Sequence, residues 1–217
     1  AGMWVRDSSA GIGTLTFCNA ETKVFAGLGH AICDVDTGEI LPLAQGDIVD
    51  AAISDVNKGH EGSPGELKGC FIDSEPLGKI QANSDTGIYG TLNNPPSDKD
   101  RVDVALKQHV KKGSAKVLTT IEGNKPQYYD INIDSINYNV NSPTKNIRLS
   151  VTDKNLLEKT GGIVQGMSGS PIIQDGLLVG AITHVFVNNP AKGYGIFAET
   201  MLTNSNKILD CKYKKVS

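Results

Sequence analysis

Gly166-Met167-Ser168-Gly169-Ser170-Pro171-Ile172-Ile173-Gln174-Asp175-Gly176-Leu177-Leu178-Val179-Gly180-Ala181-Ile182-Thr183 is the stretch on which the fold turns. A serine set between glycines lets the backbone wrap around an acyl group and aim its amides at a developing oxyanion. The residues after that serine read as a hairpin: an apolar run opened by Pro171, a turn at Asp175-Gly176, and a second run from Leu177 to Thr183. Ser168 is the candidate nucleophile, and Ser170 competes with it. The bland reading of the same residues is a Gly/Ser turn before a strand.

The rest of the chain has the rhythm of that hairpin. Glycine is 24 of 217 residues and recurs between short β-branched or alternating segments. Strands are expected at Thr14–Phe17, Lys23–Ala26, Asp47–Val49, Cys70–Ile72, Ile88–Leu92, Val102–Leu106, Lys116–Ile121, Tyr129–Ile133, Ile147–Val151 and Leu177–Ile182. Two short helices are expected, Asp153–Lys159, capped by Thr152 or Asp153, and Glu199–Asn204. Asn93-Asn94-Pro95-Pro96-Ser97-Asp98-Lys99-Asp100 breaks the pattern, so a boundary is placed there, with residues 1–100 and 101–217 as two β-barrel halves. A serine followed by a hairpin in an all-β chain fits two-barrel, chymotrypsin-like architecture. An α/β-hydrolase elbow fits worse, because it needs G-x-S-x-G entering a helix and Ser170 holds the fifth place.

Composition narrows the function classes. No apolar run approaches the roughly 18 residues of a membrane span, and 21 basic against 24 acidic groups give −3. Nucleic acid is therefore not an expected partner. Cys18, Cys33, Cys70 and Cys211 are far apart, with no C-x-x-C and no zinc-finger spacing, so no metal is expected and free thiols are the simplest reading. The first residues carry no apolar signal segment and read as the start of an excised domain.

A serine nucleophile needs a base. His30 closes Phe25-Ala26-Gly27-Leu28-Gly29-His30 at a strand end, upstream of the nucleophile as in chymotrypsin-like enzymes. His184 lies 16 residues past Ser168 and is expected to wall the substrate cleft, while His60 and His109 read as solvated. The amides of Gly166 and Ser168 are the candidate oxyanion hole. For the acid that orients the base, Asp103, Asp34 and Asp36 are in reach by sequence, and a backbone carbonyl is a further alternative.

Three strings carry a resemblance that spans nearly the whole chain. Gly2-Met3-Trp4-Val5-Arg6-Asp7-Ser8-Ser9-Ala10-Gly11-Ile12-Gly13-Thr14-Leu15-Thr16, Gly27-Leu28-Gly29-His30 and Thr160-Gly161-Gly162-Ile163-Val164-Gln165-Gly166-Met167-Ser168-Gly169-Ser170-Pro171 resemble the peptidase domain of the stage IV sporulation protein B family. Thr183-His184-Val185-Phe186-Val187-Asn188 and Gly193-Tyr194-Gly195 extend it. The resemblance implies a serine endopeptidase of an endospore former, acting between the two forespore membranes in the signalling that activates late mother-cell transcription. It carries the nucleophile onto Ser168, the base onto His30 and the acid onto Asp153, 15 residues before the serine. Helix capping is the competing role for Asp153. It also implies a membrane-tethered parent with a PDZ module, neither of which lies within these residues.

The expectation is thus cleavage of a protein or peptide, implied by the resemblance to be a membrane-associated sporulation regulator, without a cofactor. An extended segment would add as a strand along Thr183-His184-Val185, with Gly162 flooring a pocket near Tyr194. No acidic residue falls among these positions, so a small or medium apolar side chain is expected there. The alternative is a β-barrel module that binds and regulates a membrane-bound complex with little or no turnover.

Overall fold

The computed structural model describes residues 10–43, 45–72, 75–95 and 101–214. Among them thirteen strands run β1 (Leu15–Cys18), β2 (Val24–Gly27), β3 (Gly46–Ile48), β4 (Ala51–Asn57), β5 (Glu66–Phe71), β6 (Gly78–Ser84), β7 (Gly87–Leu92), β8 (Gly113–Thr119), β9 (Gln127–Ile136), β10 (Ile147–Val151), β11 (Pro171–Gln174), β12 (Leu177–Phe186) and β13 (Asn189–Phe197). Helix α1 (Lys154–Thr160) separates β10 from β11, and α2 (Ala198–Lys214) comes after β13. The molecule is all-β with two helices.

The second half closes into an antiparallel barrel in the order β10-β13-β12-β11-β8-β9. Alternation drives the closure. In β10, Ile147, Leu149 and Val151 face inward while Arg148 is exposed, and β9 buries Tyr129, Ile131 and Ile133 in the same way. The β11–β12 hairpin turns through Asp175 and Gly176, with φ of 53° and 80°, as its Asp-Gly sequence anticipates.

The first half is an open sheet, β1-β2-β7-β6-β3, accompanied by the separate ribbon β4-β5. That ribbon crosses the expected division of the chain. Ile53 and Leu67 belong to the barrel's core, the Ile53 N–H donates to Gly123 O, and the Leu67 N–H donates to Gln165 O. Residues 96–100 of the expected boundary and residues 1–9 of the first resembling string lie outside the described residues, as does the Cys211 side chain.

Several sequence-based elements shift. Val102–Leu106 is no strand; it makes one parallel bridge, Val104 to Leu178. β4, β6 and β13 form where no strand is expected from sequence, and α2 runs ten residues beyond Asn204. α2 joins the halves: Met201 is buried in one cluster with Ala26 and Tyr89 of the sheet and Ala181 and Ile196 of the barrel.

Candidate active site

The candidate base comes from a strand end. After β2, Leu28 and Gly29 take φ of 63° and 72°, which bends the chain and presents His30 half-buried beside the barrel. Its Nδ1 lies 2.8 Å from the Ala31 carbonyl oxygen. A carbonyl only accepts, so Nδ1 carries the proton and Nε2 is left as the basic nitrogen. That is the tautomer a general base requires.

The candidate nucleophile sits in the turn between α1 and β11. Thr14 N–H donates to Ser168 O at 2.9 Å, and Thr16 Oγ1 donates to Gly169 O at 2.8 Å, so β1 and the residues before it hold the turn from one side. No sequence motif marks this role, because the contacts fall on main-chain carbonyls of the turn. Ser168 is half-buried, and its Oγ donates to Thr183 O at 3.1 Å. Ser170 is fully buried and donates to Thr119 Oγ1 at 3.0 Å. The two serines therefore face different surroundings, cleft and barrel interior.

The amides of the turn divide in the same way. Gln165, Met167, Gly169 and Ser170 donate to Gly65, Val164, Ile182 and Met167 carbonyls. The N–H groups of Gly166 and Ser168 have no backbone acceptor among the described residues. Two unengaged amides flanking one residue, with Gly166 at φ 98°, make a donor pair for a developing negative charge.

Asp153 is placed elsewhere. It is the N-cap of α1: one carboxylate oxygen accepts the Leu156 N–H at 3.0 Å and the other the Asp130 N–H at 3.3 Å. Arg148, Tyr194 and His184 are level across β10, β13 and β12, and Asp153 lies five residues farther along the chain. Strand spacing and rise put it on the order of 20 Å from His184. No contact between Asp153 and His30 occurs among the described residues, and His30 Nδ1 faces the Ala31 carbonyl. Of the other acids read from sequence, Asp34 Oδ1 accepts the Asp36 and Thr37 N–H groups, and the main-chain carbonyl of Asp103 accepts the Leu178 N–H.

Substitution distinguishes cap from triad. Asp153→Asn is expected to leave turnover within about threefold, since Asn caps about as well as Asp. Asp153→Ala should lower stability by about 1 kcal/mol, read from denaturant midpoints. A fall in turnover of about 10⁴-fold for Asp153→Asn, the size expected when the base loses its carboxylate, would instead place Asp153 against His30 in the working enzyme.

β11 pairs with β12 only as far as Ala181, and the nucleophile turn bonds to Ile182, so His184 to Phe186 are paired with β13 alone, while Thr183 falls in a register shift between Ile182 and His184. Thr183 is itself buried, fixed by its Oγ1 to Thr144 O at 2.6 Å. Val185 is half-buried there. Gly162, at φ 137°, is pressed against the β12–β13 turn, where a Cβ would lie 2.2 Å from Pro190 O. It closes the base of this hairpin.

His184 stacks beside the base, with ring centroids 5.3 Å apart and planes tilted by 41°. Its Nδ1 is buried without a partner among the described residues. Burial first, then the neighbouring His30 and Lys145, push its pKa down to about 4. An unfolded imidazole titrates near 6.5, so between those values the unfolded chain binds a proton that the folded chain refuses. Stability should fall as pH drops from about 6.5 to about 4. Thermal midpoints across that range should flatten in His184→Phe; an unchanged slope would assign the acid sensitivity to other groups.

The chain is mostly β, with a closed six-stranded barrel and a Gly-Met-Ser-Gly turn where that barrel meets a second sheet. It belongs to the SpoIVB peptidase S55 family, whose model matches residues 1–202, and it is a serine peptidase. Among solved structures it is similar to the Rv3671c protease from M. tuberculosis. The active form is 14% identical, with 94% of this chain and 92% of that one covered at a TM-score of 0.44. The inactive form is 17% identical, with 76% and 82% covered at 0.43. No curated protein matches the chain.

Proposed function

We propose that the chain is a serine endopeptidase in which Ser168 attacks the scissile carbonyl and His30 takes its proton. The single observation that carries this is the pair of unengaged amides, Gly166 and Ser168, around a half-buried hydroxyl. The Ser168 O–H now points to Thr183 O, so it turns toward Nε2 of His30 when a peptide fills the cleft. Oγ then bonds to the carbonyl carbon, the carbonyl oxygen becomes an oxyanion held by the two amides, and the proton passes to Nε2. His30 next protonates the departing amine, leaving an acyl-enzyme, and water completes the cycle with the same base. The carbonyl of Ala31 keeps the imidazole in the required tautomer throughout.

The substrate is read as an extended protein segment that adds to Thr183, His184 and Val185, with Gly162 and Tyr194 shaping a pocket for a small or medium apolar residue. The role is read as endospore signalling, outside the cytoplasm between the forespore membranes, on a membrane-associated regulator, as the sequence resemblance implies. An active-site phosphonate tests the chemistry directly: labelling of the wild type that disappears in Ser168→Ala supports it.

A second reading is favoured by one bond. Because Ser168 donates to Thr183 O, the domain is also read as a binding module with slight turnover. Absence of phosphonate labelling, together with retained binding of an extended peptide, would decide for it.

A further inference from the structure

The outward face of the barrel beside His30 is cationic. Arg148, Tyr194 and His184 are direct cross-strand neighbours on β10, β13 and β12, so their side chains share one face. Phe186 joins them, its ring 4.6 Å from that of Tyr194. Over these rings stand two cations: Lys145 Nζ is 5.7 Å from the Tyr194 centroid, and Arg148 Cζ is 5.2 Å from that of Phe186. Lys192, paired with Ser150, continues the same face.

The acid on this face is already committed. Both oxygens of Asp134 accept hydrogen bonds, from Asn132 Nδ2 at 2.7 Å and Ser150 Oγ at 2.5 Å. Neither Lys145 nor Arg148 forms an ion pair among the described residues, whereas Lys79, Lys111, Lys116 and Lys159 do. Lys145 also acts on His184, whose depressed basicity it helps to cause. The Lys145 ammonium thus lies over β13, next to the edge read as the substrate site, and the Arg148 guanidinium reaches from β10 to Phe186 of that edge.

Strand addition fixes which substrate residues meet them. A peptide lying antiparallel to β12, with its scissile carbonyl at Ser168 opposite Thr183, places its second residue before the bond opposite His184 and its fourth opposite Phe186. Side chains at those two positions point to the outward face, and those between point the other way.

We propose that Lys145 and Arg148 form an acid-selecting subsite, so that the preferred substrate is a peptide bearing Asp or Glu two or four residues before the cleaved bond. The inference rests on reading Thr183–Phe186 as the substrate edge. The aromatic rings hold the cations in place and thin the water around them, and the carboxylate supplies the charge this face lacks.

Binding separates this proposal from the chemistry. Fluorescent peptides identical except for Glu, Gln or Lys at those two positions are titrated by anisotropy into Ser168→Ala, which turns nothing over. Glu is expected to bind about tenfold tighter than Gln, two exposed ion pairs each giving up to about fivefold, with Lys weaker still. The preference should fade in high salt, shrink in Lys145→Gln, and vanish or invert in Lys145→Glu/Arg148→Glu. Equal or undetectable binding of the three peptides, or a preference untouched in both variants, overturns the subsite. Phosphonate labelling of the otherwise unmodified chain is read in parallel. A Glu preference without labelling would leave the subsite standing and remove the peptidase reading, and labelling without a Glu preference would do the reverse.

Discussion

Ser168→Ala is expected to lower peptide hydrolysis by at least about 10³-fold, leaving only what the oxyanion donors and substrate binding supply. Its thermal midpoint should stay near that of the parent. The lost hydroxyl is half-buried and makes one hydrogen bond, to a carbonyl at the rim of the cleft, so neither a cavity nor a deeply buried orphan results. Ser170→Ala should behave in the opposite sense. That hydroxyl is fully buried between Thr119 Oγ1 and, at 3.4 Å, Thr14 Oγ1, and its removal strands polar groups inside the barrel. The cost is about 1–3 kcal/mol in stability, with kcat much less affected than in the first variant. Measured together as kcat/KM and denaturant midpoint, the pair assigns the nucleophile. Activity retained in Ser168→Ala and lost in Ser170→Ala would move it to Ser170.

The reason the barrel half is legible from sequence is visible in β10 and in the β11–β12 hairpin. Ile147-Arg148-Leu149-Ser150-Val151 alternates because one face meets the core, and Asp175-Gly176 states its turn chemistry outright. Asn189–Phe197 does not read as a strand because Gly193 and Gly195 replace the side chains that alternation needs. Those glycines are required by close packing: a Cβ on Gly193 would stand 2.5 Å from His184 O, and one on Gly195 2.7 Å from Ala181 O. Helix α2 reads short because its later turns are largely polar, whereas its burial is tertiary and comes from Met201 settling between the halves.

The site divides along the same line. Ser168, His30 and the Gly166 and Ser168 amides are candidates that residue types can suggest, since glycine beside serine and histidine at a strand end state a chemical need in side chains or in their absence. Residue types do not single out the partner of His30 Nδ1. Sequence offers four aspartates and, without a position, a backbone carbonyl; in this structure Nδ1 faces the main chain of the very next residue, which leaves no compositional trace. The cations at Lys145 and Arg148 are equally hidden, because they converge across a turn and two strands, and only the cross-strand register brings them beside His184.

Gly169→Ala should be the most damaging single methyl that can be added to this molecule's catalytic turn. Gly169 has φ of 90°, a conformation costly for any L side chain, and a Cβ there would lie 2.1 Å from Thr14 O, 2.6 Å from Leu28 N and 3.0 Å from Leu28 Cα. All three are main-chain atoms of the first half. They cannot swing aside, because Thr14 N–H is bonded to Ser168 O and Leu28 N–H to Thr14 O. Backbone strain of about 1–3 kcal/mol and overpacking of about 1–3 kcal/mol fall on the same position. A loss of about 3–5 kcal/mol is expected, a large part of what holds a domain of this size folded. Relief would require β1 and the His30 bend to back away from the nucleophile, so activity should fall even in whatever fraction remains folded. Gly176→Ala provides the control. Its φ is 80°, yet nothing lies within 4 Å of the added Cβ, so it carries strain without collision and should cost about 1 kcal/mol, with turnover unchanged. Similar midpoints for the two variants in a denaturant titration would mean that the contact between Thr14, Leu28 and the nucleophile turn is loose, and that the alignment of Ser168 with His30 is held by something other than this junction.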